Sequence, residues 1–155
     1  MLTVKTYLAP SEIHGIGLFA AEKIPAKSIV WKYNRFIDKI FSVPTFLKIC
    51  QDQDHYTLNH LLNSSYKKNG KYFYLTDNAR FINHSDLISN ISFVDEFTEI
   101  AEQDIEADEE LLENYFLSYD VDDFFFQELV NIRPDDYLNI IARGCHYHAH
   151  HRYLS

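Results

Sequence analysis

The chain is poor in glycine, with only four in 155 residues, and two of these lie one residue apart in His14-Gly15-Ile16-Gly17-Leu18-Phe19. Glycine is the residue that most readily allows a tight turn or a close backbone approach. The pair therefore marks a point where the fold needs one, and the apolar residues that follow predict a turn entering a strand. It is not a dinucleotide fingerprint, because no third glycine follows and no alternation of strands and helices surrounds it. Ser28–Tyr33, Lys71–Thr76, Asn90–Val94 and Phe97–Ala101 are rich in β-branched and aromatic residues and predict strands. The first two thirds of the chain is thus strand-rich with short connections.

Helical signals interrupt this pattern twice. Ser42 is a candidate N-cap followed by Pro44 in a first turn, and Tyr56, Leu58, Leu61 and Leu62 recur at helical spacing, so an inserted helical segment is expected over about 44–64. After Tyr115, the acids of Asp120-Val121-Asp122-Asp123 suit a helix N-terminus, and Pro134 and Gly144 bracket a further helix. No repeat, low-complexity tract or linker divides the chain. At this length, with 46% hydrophobic and 15% aromatic residues, one compact domain able to bury a core is the expectation.

Cys50 and Cys145 stand far apart and form neither a disulfide framework nor a four-cysteine zinc site, which fits a reducing compartment. The N-terminus lacks the pattern of a secretory signal, and no apolar run approaches the roughly 18 residues of a membrane span. A soluble protein with no membrane role is expected. A net charge of −9 disfavours a protein that mainly grips nucleic acid and suits a basic partner, while also serving solubility.

Within Ala79–Asp86, the triplet Asn83-His84-Ser85 follows an apolar Phe81-Ile82. Taken alone it reads three ways: a turn satisfied by its own side chains, part of a metal or nucleophile site, or one wall of a cofactor pocket. Glu109–Tyr115, "EELLENY", reads equally as a helical turn or a strand end.

The order of the pieces is more specific than any one of them. "HGIGLFAAEKIPAKSIVWKYN", "ARFINHS" and "FTEIAEQDIEADEELLENY" resemble, in sequence, the GxG element with its "IPKGExVxEYxG" strand pair, the "RFxNHS" segment and the "AxRDIxxGEELTxxY" element of SET-domain protein lysine methyltransferases. The resemblance runs from about residue 13 to 116. It implies a mainly β SET domain, a β-clip with a knot-like core, over residues 1–116 with a helical insert at about 44–70. Residues 117–155 are then expected as a helical flank packed on that core.

The resemblance also implies a site. Gly15, Ile16 and Gly17, together with Asn83 and His84, would hold S-adenosyl-L-methionine, His84 mainly through its backbone. Tyr115 would be the catalytic tyrosine beside the reacting methyl, and Tyr33 would shape the channel that admits the lysine. Phe93 is either a channel residue that leaves room for di- or trimethylation or an ordinary core phenylalanine. No metal is implied in this site. The implied substrate is a basic, lysine-containing protein or peptide, drawn in by an acidic surface that includes some of Asp120, Asp122 and Asp123. A homodimer is one option for the oligomeric state. A cytoplasmic location is expected, or a nuclear or host-cell one for a viral or effector chain.

Several residues depart from the family pattern. Asp86 replaces the cysteine after "NHS", the proline of that loop is missing, and Asp108 replaces the glycine before "EEL". Lys32 stands where glutamate is common. No cysteine-rich module follows Tyr115; Phe124, Phe125 and Phe126 either close the channel or dock a helix. Cys145, His146, His148, His150 and His151 form a metal-capable tail, read as adventitious or functional. A non-enzymatic SET-fold binding or regulatory protein that keeps the cofactor is the alternative function.

Overall fold

The structure, a computed structural model, describes residues 1–129 and 131–142; the expected metal-capable tail and the helix stop at Gly144 lie outside them. In chain order the elements are β1 (Thr6–Pro10), β2 (Ile16–Ala20), β3 (Ile29–Lys32), β4 (Lys39–Ser42), α1 (Val43–Cys50), α2 (His55–Asn63), β5 (Ser65–Lys68) and β6 (Lys71–Tyr74). A 3-10 turn (Asn78–Phe81) follows, then β7 (Asn83–His84), β8 (Ile91–Asp95), β9 (Thr98–Ala101), β10 (Leu112–Glu113), α3 (Tyr115–Ser118), α4 (Phe124–Glu128) and α5 (Pro134–Ala142). The chain divides into two compact units. One comprises Met1–Lys39 and Leu75–Ser118, the other Ile40–Tyr74 and the residues from Tyr119 onward.

In the first unit, β1 and β2 form an antiparallel hairpin in which Pro10 faces Ile16. Proline is tolerated because β1 pairs with β2 alone. A five-stranded sheet has the order β3-β9-β8-β10-β7. The two-residue β10 runs parallel to both neighbours, so the segment joining β7 to β8 passes around it. Ser85 N–H donates to Glu113 O at 3.0 Å, and Asn90 N–H donates to Leu112 O at 2.9 Å. This threading is the knot-like feature expected of the fold. Asn90, 1% exposed, clamps it: its Oδ1 accepts from Leu112 N–H at 2.9 Å, and its Nδ2 donates to Glu110 O at 2.8 Å. Buried backbone groups need such partners, and one amide side chain here serves the strand that leads to Tyr115.

Leu18, Val30, Trp31, Ile91, Ile105 and Leu111 are central to this unit's core. Two turns bring its halves together. Ile24 and Ile105 exchange backbone hydrogen bonds of 2.8 and 2.9 Å, and three residues after each the chain turns left-handed, with φ of 67° at both Lys27 and Asp108. The family motif carries glycine at both places. Here side-chain-bearing residues accept a conformation disfavoured for L-amino acids, and Asp108 gains a hydrogen bond from the Tyr7 hydroxyl at 2.8 Å.

The second unit joins a three-stranded sheet, β4-β6-β5, to helices from two distant parts of the sequence. Ser42 caps α1 as expected, accepting from Thr45 N–H. Beyond α2 the insert turns into the β5–β6 hairpin. Phe46, Leu58, Leu62 and Tyr72 from the insert share one apolar cluster with Phe124, Tyr137 and Ile141 from the C-terminal flank. Of the two readings of the phenylalanine run, helix docking thus holds for Phe124. Phe46 and Tyr72 stack at 3.9 Å between ring centroids. The Tyr137 hydroxyl donates to Asp122 O at 3.0 Å, so the 2.5 Å contact between the two hydroxyls is donated by Tyr72.

The expectation that Asp120, Asp122 and Asp123 draw in substrate is corrected by their partners. Asp122 pairs with the Lys67 ammonium at 2.5 Å, both side chains being largely buried. Asp120 accepts from the Asn69 and Gly70 N–H groups. Asp123 is buried; it caps α4 through Phe125 N–H and accepts from Lys67 N–H. Burial pushes its carboxyl up to about 7, against the lowering effect of these two bonds. The cluster ties the flank to the β5–β6 hairpin.

Candidate active site

The site residues gather around the turn that closes the β1–β2 hairpin. Ser11 N–H donates to Gly15 O at 3.0 Å, and the Ser11 hydroxyl accepts from the N–H groups of Ile13 and His14. Gly15 takes a φ of +50° with open space where a Cβ would stand. Gly17 is demanded by a different constraint. A Cβ there would lie 2.1 Å from Glu110 Oε1 and 2.7 Å from its Cδ, so only a hydrogen on Cα lets the carboxylate reach the turn.

Glu110 is the functional candidate that sequence reasoning missed. Its Oε2 accepts from the Ser11 hydroxyl at 2.9 Å and its Oε1 from Asn83 Nδ2 at 2.8 Å. The same Asn83 amide also donates to His14 O at 3.0 Å and Ile16 O at 3.4 Å. One amide and one carboxylate thereby lock the Gly15–Gly17 turn to β7. The only signal in the sequence was the doubled glutamate of "EEL", and a spacing of 93 residues from Gly17 hid its partner.

His84 and Tyr115 meet at the other end of β7. Leu112 and Glu113 pair with Asn83 and His84, which brings Tyr115 back beside His84, with ring centroids 5.2 Å apart. Burial lowers the His84 pKa, favouring the neutral ring. In that form Nδ1 accepts from Tyr115 N–H at 3.1 Å, which assigns the proton to Nε2. The 3.3 Å approach of Nδ1 to Glu113 O is then a contact between two acceptors. The Tyr115 hydroxyl donates to Ile82 O, fixing the ring at both ends. Thus the predicted residues Gly15, Ile16, Gly17, Asn83, His84 and Tyr115 form one connected group, in which an amide, an imidazole and a phenol are held by backbone groups.

Tyr33 directly follows β3, and Phe93 lies in β8. Tyr33, half-buried, donates its N–H to Phe97 O at 2.8 Å and packs its ring against Phe97 at 5.4 Å. Phe93, opposite Glu99 on β9, sets its ring edge-on to Trp31 at 6.4 Å. Beside Tyr33 an open groove is lined by Lys32, Arg35 and Phe36. Among the described residues no helix is long and apolar enough to cross a membrane.

The fold recurs in known proteins. The chain is similar to the ctPRC2 structure in an autoinhibited conformation bound to S-adenosylmethionine, with a TM-score of 0.56 and 23% identity over 83% of this chain. It is also similar to a humanized mutant of the Chaetomium thermophilum Polycomb Repressive Complex 2 bound to the inhibitor GSK126, with a TM-score of 0.53 and 22% identity over 75% of this chain. An active polycomb repressive complex 2 in the stimulated state gives 0.54 and 23% over 72%. The present chain spans only 15–17% of the length of those chains, and these likenesses speak for the fold. A search of curated proteins finds no match. The family model of the SET domain matches residues 15–116, the stretch that carries every element of the group just described, and the chain therefore belongs to the SET domain family.

Proposed function

We infer that the chain is an S-adenosylmethionine-dependent protein-lysine N-methyltransferase. The observation that supports this best is the linkage of the Gly15–Gly17 turn, Asn83, His84 and Tyr115 through side-chain bonds within one unit. The donor set suits the amino-acid end of the cofactor, an ammonium and a carboxylate on one carbon. His14 O, Ile16 O and Glu110, which already accept from the Asn83 amide, each keep a further acceptor position for the first. The open space at Gly15 lets a ligand approach the backbone closely.

S-adenosylmethionine, when bound, supplies a methyl group on a positively charged sulfur. Amine methylation then needs alignment and a neutral lysine more than a strong acid or base. Tyr115, tethered at its hydroxyl and its backbone N–H, is held in one orientation. Such positioning lowers a barrier by on the order of 7 kcal/mol in favourable cases. Tyr33, backed by Phe97, offers an aromatic wall for the lysine stem, and a wall that excludes water favours the uncharged amine. Phe93 has no hydroxyl to hold a water or fix an ammonium, which leaves room for more than one methyl group. The net charge of −9 favours encounter with a basic, lysine-containing protein.

The test is transfer of isotopically labelled methyl from the cofactor to mixed basic proteins, with the labelled residue identified by mass spectrometry. Methyl-lysine is the expected product. Cofactor binding with no transfer to histones, ribosomal proteins or the chain itself would favour a SET-fold binding protein.

A further inference from the structure

The groove beside Tyr33 has the opposite sign to the rest of the molecule. Lys32 and Arg35 are exposed, and among the described residues neither pairs with a carboxylate. Two acids bonded to the segments that flank the groove, Asp38 and Asp77, are already engaged. Asp38 Oδ2 accepts from Asn34 N–H at 2.8 Å and from the Met1 ammonium at 3.1 Å. Asp77 accepts from Leu2 N–H at 2.6 Å and from Ala79 N–H at 3.1 Å. In a chain with 23 acids against 14 lysines and arginines, two unpaired cations on one groove are a local excess.

The groove is built on ordered backbone. Lys32 N–H donates to Met1 O at 3.0 Å, and the Met1 ammonium donates to Lys32 O at 2.7 Å. The following turn is closed by Asp38 N–H to Asn34 O at 2.8 Å and by Phe36 N–H to Asn34 Oδ1 at 3.0 Å. It presents Phe36, 80% exposed, with the Arg35 guanidinium 5.2 Å from its ring centroid. A guanidinium resting on an aromatic face keeps its N–H fork free for a carboxylate.

We propose that this groove is a subsite for an acidic residue of the protein substrate close to the target lysine, recognised by Lys32 and Arg35. The proposal rests on the methyltransferase reading and on Tyr33 bordering the lysine channel. Charge complementarity selects the occupant. A nucleic acid strand would need more cations than two, and would meet the field of an acidic protein. A basic substrate surface and an acidic neighbour of the lysine are compatible, because the first acts on encounter and the second on the docked segment.

The experiment uses peptides with one lysine flanked on either side by Glu, Gln or Arg. It reads kcat/KM for methyl transfer and, separately, binding by fluorescence anisotropy. Two exposed ion pairs are expected to favour Glu over Arg on one flank by about 10-fold at low ionic strength, a preference that fades as salt rises. The double variant Lys32→Glu/Arg35→Glu, checked for native melting, is expected to reverse the ranking. An unchanged ranking in the variant overturns the proposal, as does a short RNA that displaces the peptide more strongly than a peptide of equal charge. Acidic-flank binding with no methyl transfer supports the subsite and counts against the methyltransferase reading. Transfer without any flank preference does the reverse.

Discussion

Replacing Gly17 with alanine adds a single methyl group, and the structure assigns its cost to one neighbour. The new Cβ would lie 2.1 Å from Glu110 Oε1 and 3.1 Å from Ser11 Cβ, so Glu110 must leave. Its departure breaks the bonds from Ser11 at 2.9 Å and Asn83 at 2.8 Å. Hydrogen bonds to a charged group contribute about 1.5–3 kcal/mol each. With all three side chains half-exposed, the lower end applies, so the two bonds carry about 3 kcal/mol and the substitution, with the Ser11 contact added, should cost about 3.5–4 kcal/mol. In a Glu110→Ala background the obstruction and both bonds are already gone, so the same methyl should cost no more than about 0.5–1 kcal/mol from the Ser11 contact. A double-mutant cycle should thus give a coupling of about 3 kcal/mol, the two bonds at about 1.5 kcal/mol each. Urea unfolding followed by Trp31 fluorescence measures it in the right place, because Trp31 is the chain's one tryptophan and sits in the core of the same unit. Additivity within about 0.5 kcal/mol would show that Gly17 is not needed for the carboxylate.

Lys27→Gly relieves a left-handed backbone worth about 1–2 kcal/mol at a loss of about 0.4–1 kcal/mol in unfolded-chain entropy, so a thermal melt should rise by a few degrees. Asp108→Gly should gain less, because it also loses the Tyr7 hydrogen bond; equal gains would contradict that role. Asp123 has its folded pKa raised, so the stability it contributes is full below the ordinary carboxylate range and is lost as pH rises towards about 7. Wild-type melting should therefore fall more between pH 5 and pH 8 than that of Asp123→Asn, and parallel curves would refute the burial argument. Phe93→Tyr should shift products towards monomethyl-lysine by mass spectrometry. An unchanged product distribution would return Phe93 to the role of a core residue.

The candidate site was legible through the resemblance to the SET motifs. The resemblance named the glycine pair, Asn83-His84 and Tyr115, whereas the residues alone left Asn83-His84-Ser85 open among a turn, a metal or nucleophile site and a cofactor wall, and Glu109–Tyr115 open between a helical turn and a strand end. Glu110 and Asn90 escaped notice, since each acts across a long sequence gap: Glu110 on Gly17, and Asn90 on the strand that threads beside it. β5 was missed because Ser65–Lys68 is polar in sequence and is held by acids from the distant flank. The same contacts explain why Asp120, Asp122 and Asp123 looked like a surface patch and are bonding partners. Pro10 disguised β1, which a two-stranded hairpin tolerates. The left-handed turn at Lys27 was hidden because lysine does not advertise positive φ.

The most direct test separates holding the cofactor from moving the methyl group. Tyr115→Phe keeps the ring beside His84 and removes the hydroxyl that bonds Ile82 O. Its affinity for S-adenosylmethionine, by isothermal titration, should stay within about threefold of wild type, while single-turnover transfer to a lysine substrate should fall by about 100-fold, the loss expected from misalignment of the reacting groups. Transfer at the wild-type rate by Tyr115→Phe would contradict the account.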